Sequence, residues 1–209
     1  MSAYAPARRC SARWRRKASR KPLALPRVPF WFLRHGETDY NAAGLSQGAL
    51  DISLNATGRA QAAAAGPMLA GQGITTIICS PMQRTRETAD IVNDFLNLPV
   101  SYEAGLREVV FGGMEGKPLY PWFSEWLEGR YTPEGAETFF EVLARVEDAM
   151  ERVLSGRQGP LLIVAHGGIF RALRDLMRLP KQGLTPNAVP MFCVPEDDGW
   201  QVCLPEQDA

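Results

Sequence analysis

Two short apolar runs, each closed by a histidine and a glycine, constrain this chain more than anything else in its sequence. Val28-Pro29-Phe30-Trp31-Phe32-Leu33 leads into Arg34-His35-Gly36-Glu37-Thr38, and Pro160-Leu161-Leu162-Ile163-Val164 leads into Ala165-His166-Gly167-Gly168. Runs of this length, bounded by Gly and Pro, suit buried strands rather than helices. A third run, Ile74-Thr75-Thr76-Ile77-Ile78-Cys79, is rich in β-branched residues and reads the same way. The chain holds only two histidines, and both fall at such strand ends. Histidine is the side chain whose nucleophilicity and protonation are both usable near neutral pH.

Between these runs lie helical patterns. Asn55 caps a helix through Ala65, which Gly66-Pro67 should end or kink, because proline lacks a donor and clashes one turn back. Ser80-Pro81-Met82-Gln83 predicts a capping box with Ser80 as N-cap, opening a helix toward Phe95. Leu98 to Tyr102 forms another short strand. Residues 103–135 are rich in Gly, Pro and aromatics without sustained periodicity. Phe139, Val142, Leu143, Val146, Met150 and Val153 then mark one face of a helix over 137–154. A helix from about Ile169 to Leu179 follows the second His-Gly strand. Two strands, near Met191–Val194 and Trp200–Leu204, join through Asp197-Asp198-Gly199. Strands alternating with helices imply an α/β sandwich on a largely parallel central sheet.

The formal net charge of zero hides a split. Residues 1–27 carry nine Lys or Arg and no acid, which leaves residues 28–209 at a net −9. Such a segment buries too little apolar surface to fold alone, so 1–27 is expected as a disordered basic extension and 28–209 as one domain. Its acid-free, Arg-, Ala- and Ser-rich composition resembles a transit peptide, which keeps an organellar destination open beside a cytoplasmic one. The acidic body argues against nucleic acid across the catalytic face, and no apolar run reaches the length of a membrane span. Cys10, Cys79, Cys193 and Cys203 show no metal spacing, and the last three read as small buried hydrophobes.

In open α/β sheets, ligands bind beyond the carboxyl ends of the strands. Arg34-His35-Gly36, Ser80 through Arg84 and His166-Gly167-Gly168 all stand at such ends. A shared rim would hold two histidines, two arginine forks and helix N-termini, a pocket suited to a phosphomonoester dianion. Those blocks, with Asn41, Gln47-Gly48, Asp51, Leu54, Gly58, Gln61, Thr85, Thr88, Leu106-Arg107-Glu108, Phe111-Gly112 and Glu115-Gly116, occur in the order found in the histidine phosphatase superfamily. The chain resembles that family, in its phosphoglycerate mutase-like branch of small phosphatases, over roughly residues 28–195.

The resemblance implies a three-layer α/β/α sandwich and a metal-independent phosphomonoester hydrolase without a cofactor, acting on a small phosphorylated metabolite. His35 is implied as the nucleophile that becomes a phosphohistidine. Arg34, Asn41, Gln47, Gly48, Arg84, His166 and the Gly167 N–H are implied to hold the phosphoryl oxygens. The family's proton donor falls in a Leu-x-Glu block, which assigns Glu108, with Glu115 as the competitor that more plausibly anchors the loop around Gly116. Three positions depart from the family's pattern: Met114 stands where tryptophan is frequent, Asn55 replaces threonine, and Gly135-Ala136-Glu137-Thr138 replaces Gly-Gly-Glu-Ser. Two other functions share these residues: a phosphoglycerate mutase-type phosphotransferase and a catalytically idle phosphate-binding module. Trp122, Phe123 and Trp126 suit either a lid over a ring-bearing substrate or a local core. The arginines, and the lack of His-x-x-x-His spacing, disfavour a metal site. Oligomeric state is not legible.

Overall fold

The computed structural model describes residues 25–157, 159–180 and 185–204. Residues 1–24 of the expected basic extension lie outside them, and Leu25 is already buried in the core. Six strands form one sheet in the order β3-β2-β4-β1-β5-β6, with β1 Phe30–Arg34, β2 Ile77–Cys79, β3 Val100–Tyr102, β4 Leu161–Ala165, β5 Met191–Glu196 and β6 Gly199–Cys203. Pairs β1–β4, β2–β4 and β2–β3 are parallel, whereas β5 runs antiparallel to both β1 and β6. The sheet is therefore mostly parallel, and the late hairpin supplies its antiparallel edge.

Both faces of the central strands are covered, which is why their sequences are continuously apolar rather than alternating. Phe30, Phe32, Leu161 and Ile163 pack toward α4 (Trp122–Leu127), α5 (Phe139–Leu154) and α6 (Gly167–Leu176). Trp31, Leu33, Leu162 and Val164 pack on the other face toward α2 (Ala56–Leu69) and α3 (Gln83–Leu96). A short α1 spans Asp39–Ala42. This is the three-layer α/β/α sandwich. Among the described residues no helix is long and apolar enough to cross a membrane.

Several local expectations are corrected. Helix α2 runs through Pro67 to Leu69. Pro67 and Ala63, one turn back, are both exposed, and only Met68 and Leu69 follow in the helix, so water can satisfy the carbonyl that loses its donor. Helix α3 begins at Gln83 with Met82 as N-cap, not Ser80. Asp51 Oδ1 instead accepts from the Gln83 N–H at 2.6 Å, which releases the Ser80 hydroxyl for a partner across the sheet. Helix α6 opens directly after His166, two residues earlier than expected. Cys79 and Cys193 are buried as expected, but Cys203 on the edge strand is only half-buried.

Candidate active site

Register places the two histidines side by side. Arg34 on β1 pairs with Ala165 on β4, and the His35 N–H continues the ladder to the Ala165 carbonyl at 3.0 Å. His35 and His166 are thus the next residues on adjacent parallel strands, with ring centroids 5.3 Å apart. Ser80 leaves β2 on the far side of β4, its N–H bonded to the Val164 carbonyl at 2.9 Å. Gly36 makes the turn possible: a Cβ there would lie 2.3 Å from the Gly58 carbonyl oxygen at the start of α2. Its N–H donates to Thr88 Oγ1 at 3.0 Å.

These contacts fix both rings. The Gly36 carbonyl lies 2.7 Å from His35 Nδ1, so Nδ1 carries the proton and Nε2 keeps its lone pair. Ser80 Oγ lies 2.8 Å from His166 Nε2. With that hydroxyl donating, the His166 proton sits on Nδ1, a buried atom without a partner among the described residues. Burial holds both histidines well below the usual range. Arg34 and Arg84 add to this for His35, and Arg84, His35, Arg34 and Arg145 for His166.

Arg84 is fully buried and Arg34 half-buried, and among the described residues neither makes a carboxylate salt bridge. Arg34 Nη1 donates to the Thr185 carbonyl at 2.6 Å. Arg84 donates to the carbonyls of Leu50 at 2.7 Å and Gly48 at 3.1 Å. Desolvation lowers the pKa of each, and Glu108 is the first opposing charge in both cases. Of seven buried polar side-chain atoms lacking a partner among the described residues, five cluster here: Arg34 Nε, Arg84 Nε, His166 Nδ1, Gln47 Oε1 and Thr185 Oγ1. Buried orphans are rare in native proteins, and three of these five are N–H donors that an anion would satisfy.

A cavity of about 90 Å³ opens beside this cluster, room for several waters or one small polyatomic group. Its wall includes Arg34, Asn41, Gln47, Gly48, Glu108, Gly167, Gly168 and Arg171. Leu45, Leu119, Phe111 and Phe123 supply its apolar side. His35, His166 and Arg84 are not on that wall: they lie fully buried beneath it, with the Gly48 and Leu50 carbonyls over Arg84. Asn41 Oδ1 accepts from the Thr38 N–H and from Asn187 Nδ2, both at 3.3 Å, leaving its NH2 as the end that can meet an anion.

The two glutamates stand apart. Glu108 lines the cavity and accepts from the N–H of Gly168 at 3.3 Å and of Val109 at 3.0 Å. Gly168 must be glycine for this approach, because a Cβ would lie 2.4 Å from Glu108 Oε1. Glu115 Oε1 instead ties two loops together, accepting from the N–H of Ala49 at 2.9 Å and of Phe111 at 3.0 Å. The aromatic segment divides as well. Phe123 reaches the cavity, whereas Trp122 and Trp126 are core residues bonded to the Pro118 and Glu137 carbonyls. Met114 is partly buried against the same core.

Sequence reasoning missed Ser80 as the partner of His166, Thr185 as the acceptor for Arg34, and Asn187, which donates to the His35 carbonyl at 2.9 Å. It also missed Arg171 on the cavity wall, where burial lowers its pKa. Arg171 lies four residues past Gly167 on α6, a spacing that puts it on the face of the His-Gly turn. That i, i+4 relation was the available signal. Among the described residues no group of three His, Cys, Asp or Glu side chains could hold a metal ion.

The chain is 35% identical over 142 residues to an uncharacterized phosphatase, PhoE, of Bacillus subtilis, covering 68% of this chain and 72% of that one. It is 35% identical over 169 residues to a probable phosphoglycerate mutase, GpmB, of Yersinia enterocolitica, covering 76% of each. The solved structure of a mycobacterial glucosyl-3-phosphoglycerate phosphatase complexed with VO3 is 30% identical, with a TM-score of 0.72, covering 85% of this chain and 98% of that one. The sequence profile of the histidine phosphatase superfamily, branch 1, matches residues 30–196. The chain is a member of the histidine phosphatase superfamily.

Proposed function

We propose that this protein hydrolyses small phosphomonoesters through a phosphohistidine on His35, without a metal. The observation that carries the reading is the pairing of a neutral His35, its Nε2 freed by the Nδ1–Gly36 bond, with orphan donors on Arg34, Arg84 and His166. Nε2 attacks phosphorus as the ester P–O bond breaks, and the departing alkoxide takes a proton from Glu108. In the second half, Glu108 as carboxylate removes a proton from water, the water oxygen attacks phosphorus, and the N–P bond breaks. Arg34, Arg84, His166, Asn41 and the Gly167 N–H hold the phosphoryl oxygens, whose charge is greatest in the transition state. Gln47 and Gly48 line the entrance. Because the Gly48 and Leu50 carbonyls engage Arg84, phosphoryl binding exchanges those contacts and shifts the 47–50 loop.

The substrate end of the cavity, with Phe123, Phe111, Leu119 and Arg171, fits an ester with an apolar portion and a further polar or anionic group. The decisive experiment is turnover of p-nitrophenyl phosphate in excess chelator, with intact-mass detection of a phosphoryl adduct after an alkaline quench. A phosphorylated His35 and chelator-insensitive turnover are expected. No turnover over a broad phosphomonoester panel would assign an idle binding module. Activity on 3-phosphoglycerate that requires a bisphosphoglycerate primer would assign a mutase.

A further inference from the structure

The segment that carries Glu108 belongs to no strand or long helix. It lies between two single 3-10 turns, Ala104–Leu106 and Gly112–Met114. What fixes it is the neighbouring helix. Arg145 on α5 donates through Nη1 to the carbonyls of Gly105 at 2.8 Å and Arg107 at 2.9 Å. Its Nε and Nη2 form a two-pronged pair with the Glu137 carboxylate, both at 2.9 Å. Glu137 in turn brackets Val110: its N–H donates to the Val110 carbonyl and its Oε2 accepts from the Val110 N–H, each at 2.9 Å. The Glu137 carbonyl is held by the buried Trp126 Nε1 at 2.8 Å.

The same stripe of α5 continues the grip. Ala149 stands against Gly105, where a Cβ would come within 2.7 Å of the alanine methyl. Arg152 pairs with Glu103 at 2.9 Å, and Glu103 accepts from the Gly105 N–H at 2.8 Å. Residues 145, 149 and 152 follow i, i+4, i+7 spacing, one face of a helix. The inner pair matters most, since the Arg145 and Glu137 side chains are only 25% and 22% exposed and meet as a bidentate fork, unlike a screened surface pair.

We propose that the Arg145–Glu137 pair is a positioning device for Glu108: it fixes the backbone at 105, 107 and 110, on both sides of the acid, without touching substrate. The inference rests on the reading of Glu108 as the proton donor. Proton transfer to a leaving group demands hydrogen-bond geometry in the transition state, and displacement of about 1 Å can cost roughly 100-fold. Loosening the clamp should therefore mimic partial loss of the acid, in proportion to how much the leaving group needs a proton.

The test compares kcat/KM for p-nitrophenyl phosphate, whose leaving group departs without help, with that for an alkyl phosphate, whose leaving group does not. The variants are Arg145→Lys, which keeps the charge facing His166 but loses the fork, Glu137→Gln, Glu108→Gln and the double variant R145K/E108Q. For Arg145→Lys and Glu137→Gln we expect roughly a 10- to 100-fold loss on the alkyl ester with little change on the aryl ester, and no further loss when R145K is added to E108Q. Equal losses on both esters, no loss on either, or additive losses in the double variant would overturn the proposal. So would failure of both clamp variants to fold, which would give the pair a purely architectural role. If Glu108→Gln itself shows no leaving-group dependence, the assignment of the acid fails, a result distinct from failure of the clamp.

Discussion

The floor of the site and its wall are built by different means. The floor consists of His35, His166 and Ser80 at the ends of β1, β4 and β2, where ladder hydrogen bonds set each Cα to the register of its neighbour. The wall is the 105–110 segment carrying Glu108, held by side chains arriving from α5 and from Glu137. Backbone register comes with the fold and is lost only if the sheet is lost. A wall held by side chains can be displaced by one substitution while the sheet remains. Under the proposed mechanism the floor takes the phosphoryl group and the wall gives the proton, so the two should fail differently.

The largest effect is expected on the floor. His35→Ala should abolish the phosphoenzyme and lower turnover by about 10⁴-fold or more, the scale seen when a nucleophile is removed. A rapid-quench search for the phosphoryl adduct checks it. An adduct of normal yield in this variant would move the nucleophile elsewhere. His166→Ala leaves the nucleophile but removes a donor to the phosphoryl oxygens, so the adduct should still form, roughly 10²–10³-fold more slowly. Glu108→Gln, on the wall, should cost about 10²–10⁴-fold with alkyl phosphates and far less with nitrophenyl phosphate. That contrast in leaving-group dependence between floor and wall is the sharpest single comparison. Identical profiles for His166→Ala and Glu108→Gln would erase the distinction.

The same division explains what the sequence could reveal. Strand runs ending in His-Gly are local patterns, and parallel packing brings such ends together by rule, so His35, His166 and Arg34 were legible at once. Glu108 was legible only through resemblance, because nothing local to Leu106-Arg107-Glu108 says that it faces a pocket. The clamp was not legible: Arg145 sits on a helix whose place against 105–107 is a tertiary fact, and its sequence reads as one more charged residue. Ser80 was misread for a related reason. The local rules for Ser-Pro-x-Gln favour a capping box, but Asp51, from a loop 32 residues away, takes the capping position at the Gln83 N–H. Tertiary competition decided between two good hydrogen bonds, leaving Ser80 for His166.

Ser80→Ala tests that outcome at smaller amplitude. It leaves the fully buried His166 ring with neither nitrogen bonded, which should cost on the order of 1–3 kcal/mol of stability, or several degrees in Tm for a chain of this size. The freed imidazole can also take the other tautomer, so the phosphorylation rate should fall by less than in His166→Ala. A melt combined with single-turnover kinetics separates the two effects. Unchanged Tm and rate would mean that the bond orients nothing.

The smallest effect concerns pH, and it acts on the floor alone. Burial and the adjacent guanidinium groups hold both histidines well below their ordinary range in the folded state, whereas in the unfolded chain they titrate near 6.5. Below that pH the unfolded state binds more protons than the folded one, so stability is fully present above about 6.5 and declines as pH falls toward the folded values. From pH 7.5 to 6 the two histidines together should remove on the order of 1–2 kcal/mol. His35→Ala should about halve that slope. Urea unfolding at fixed temperature across this pH range measures the slope directly. The same depression keeps His35 unprotonated and nucleophilic in mildly acidic solution, so kcat/KM for an aryl phosphate already dianionic there should show no acid limb near 6.5. A limb at that pH that disappears in a His35 variant retaining residual turnover would mean the floor is wetter, and less tightly set by the sheet, than its burial indicates.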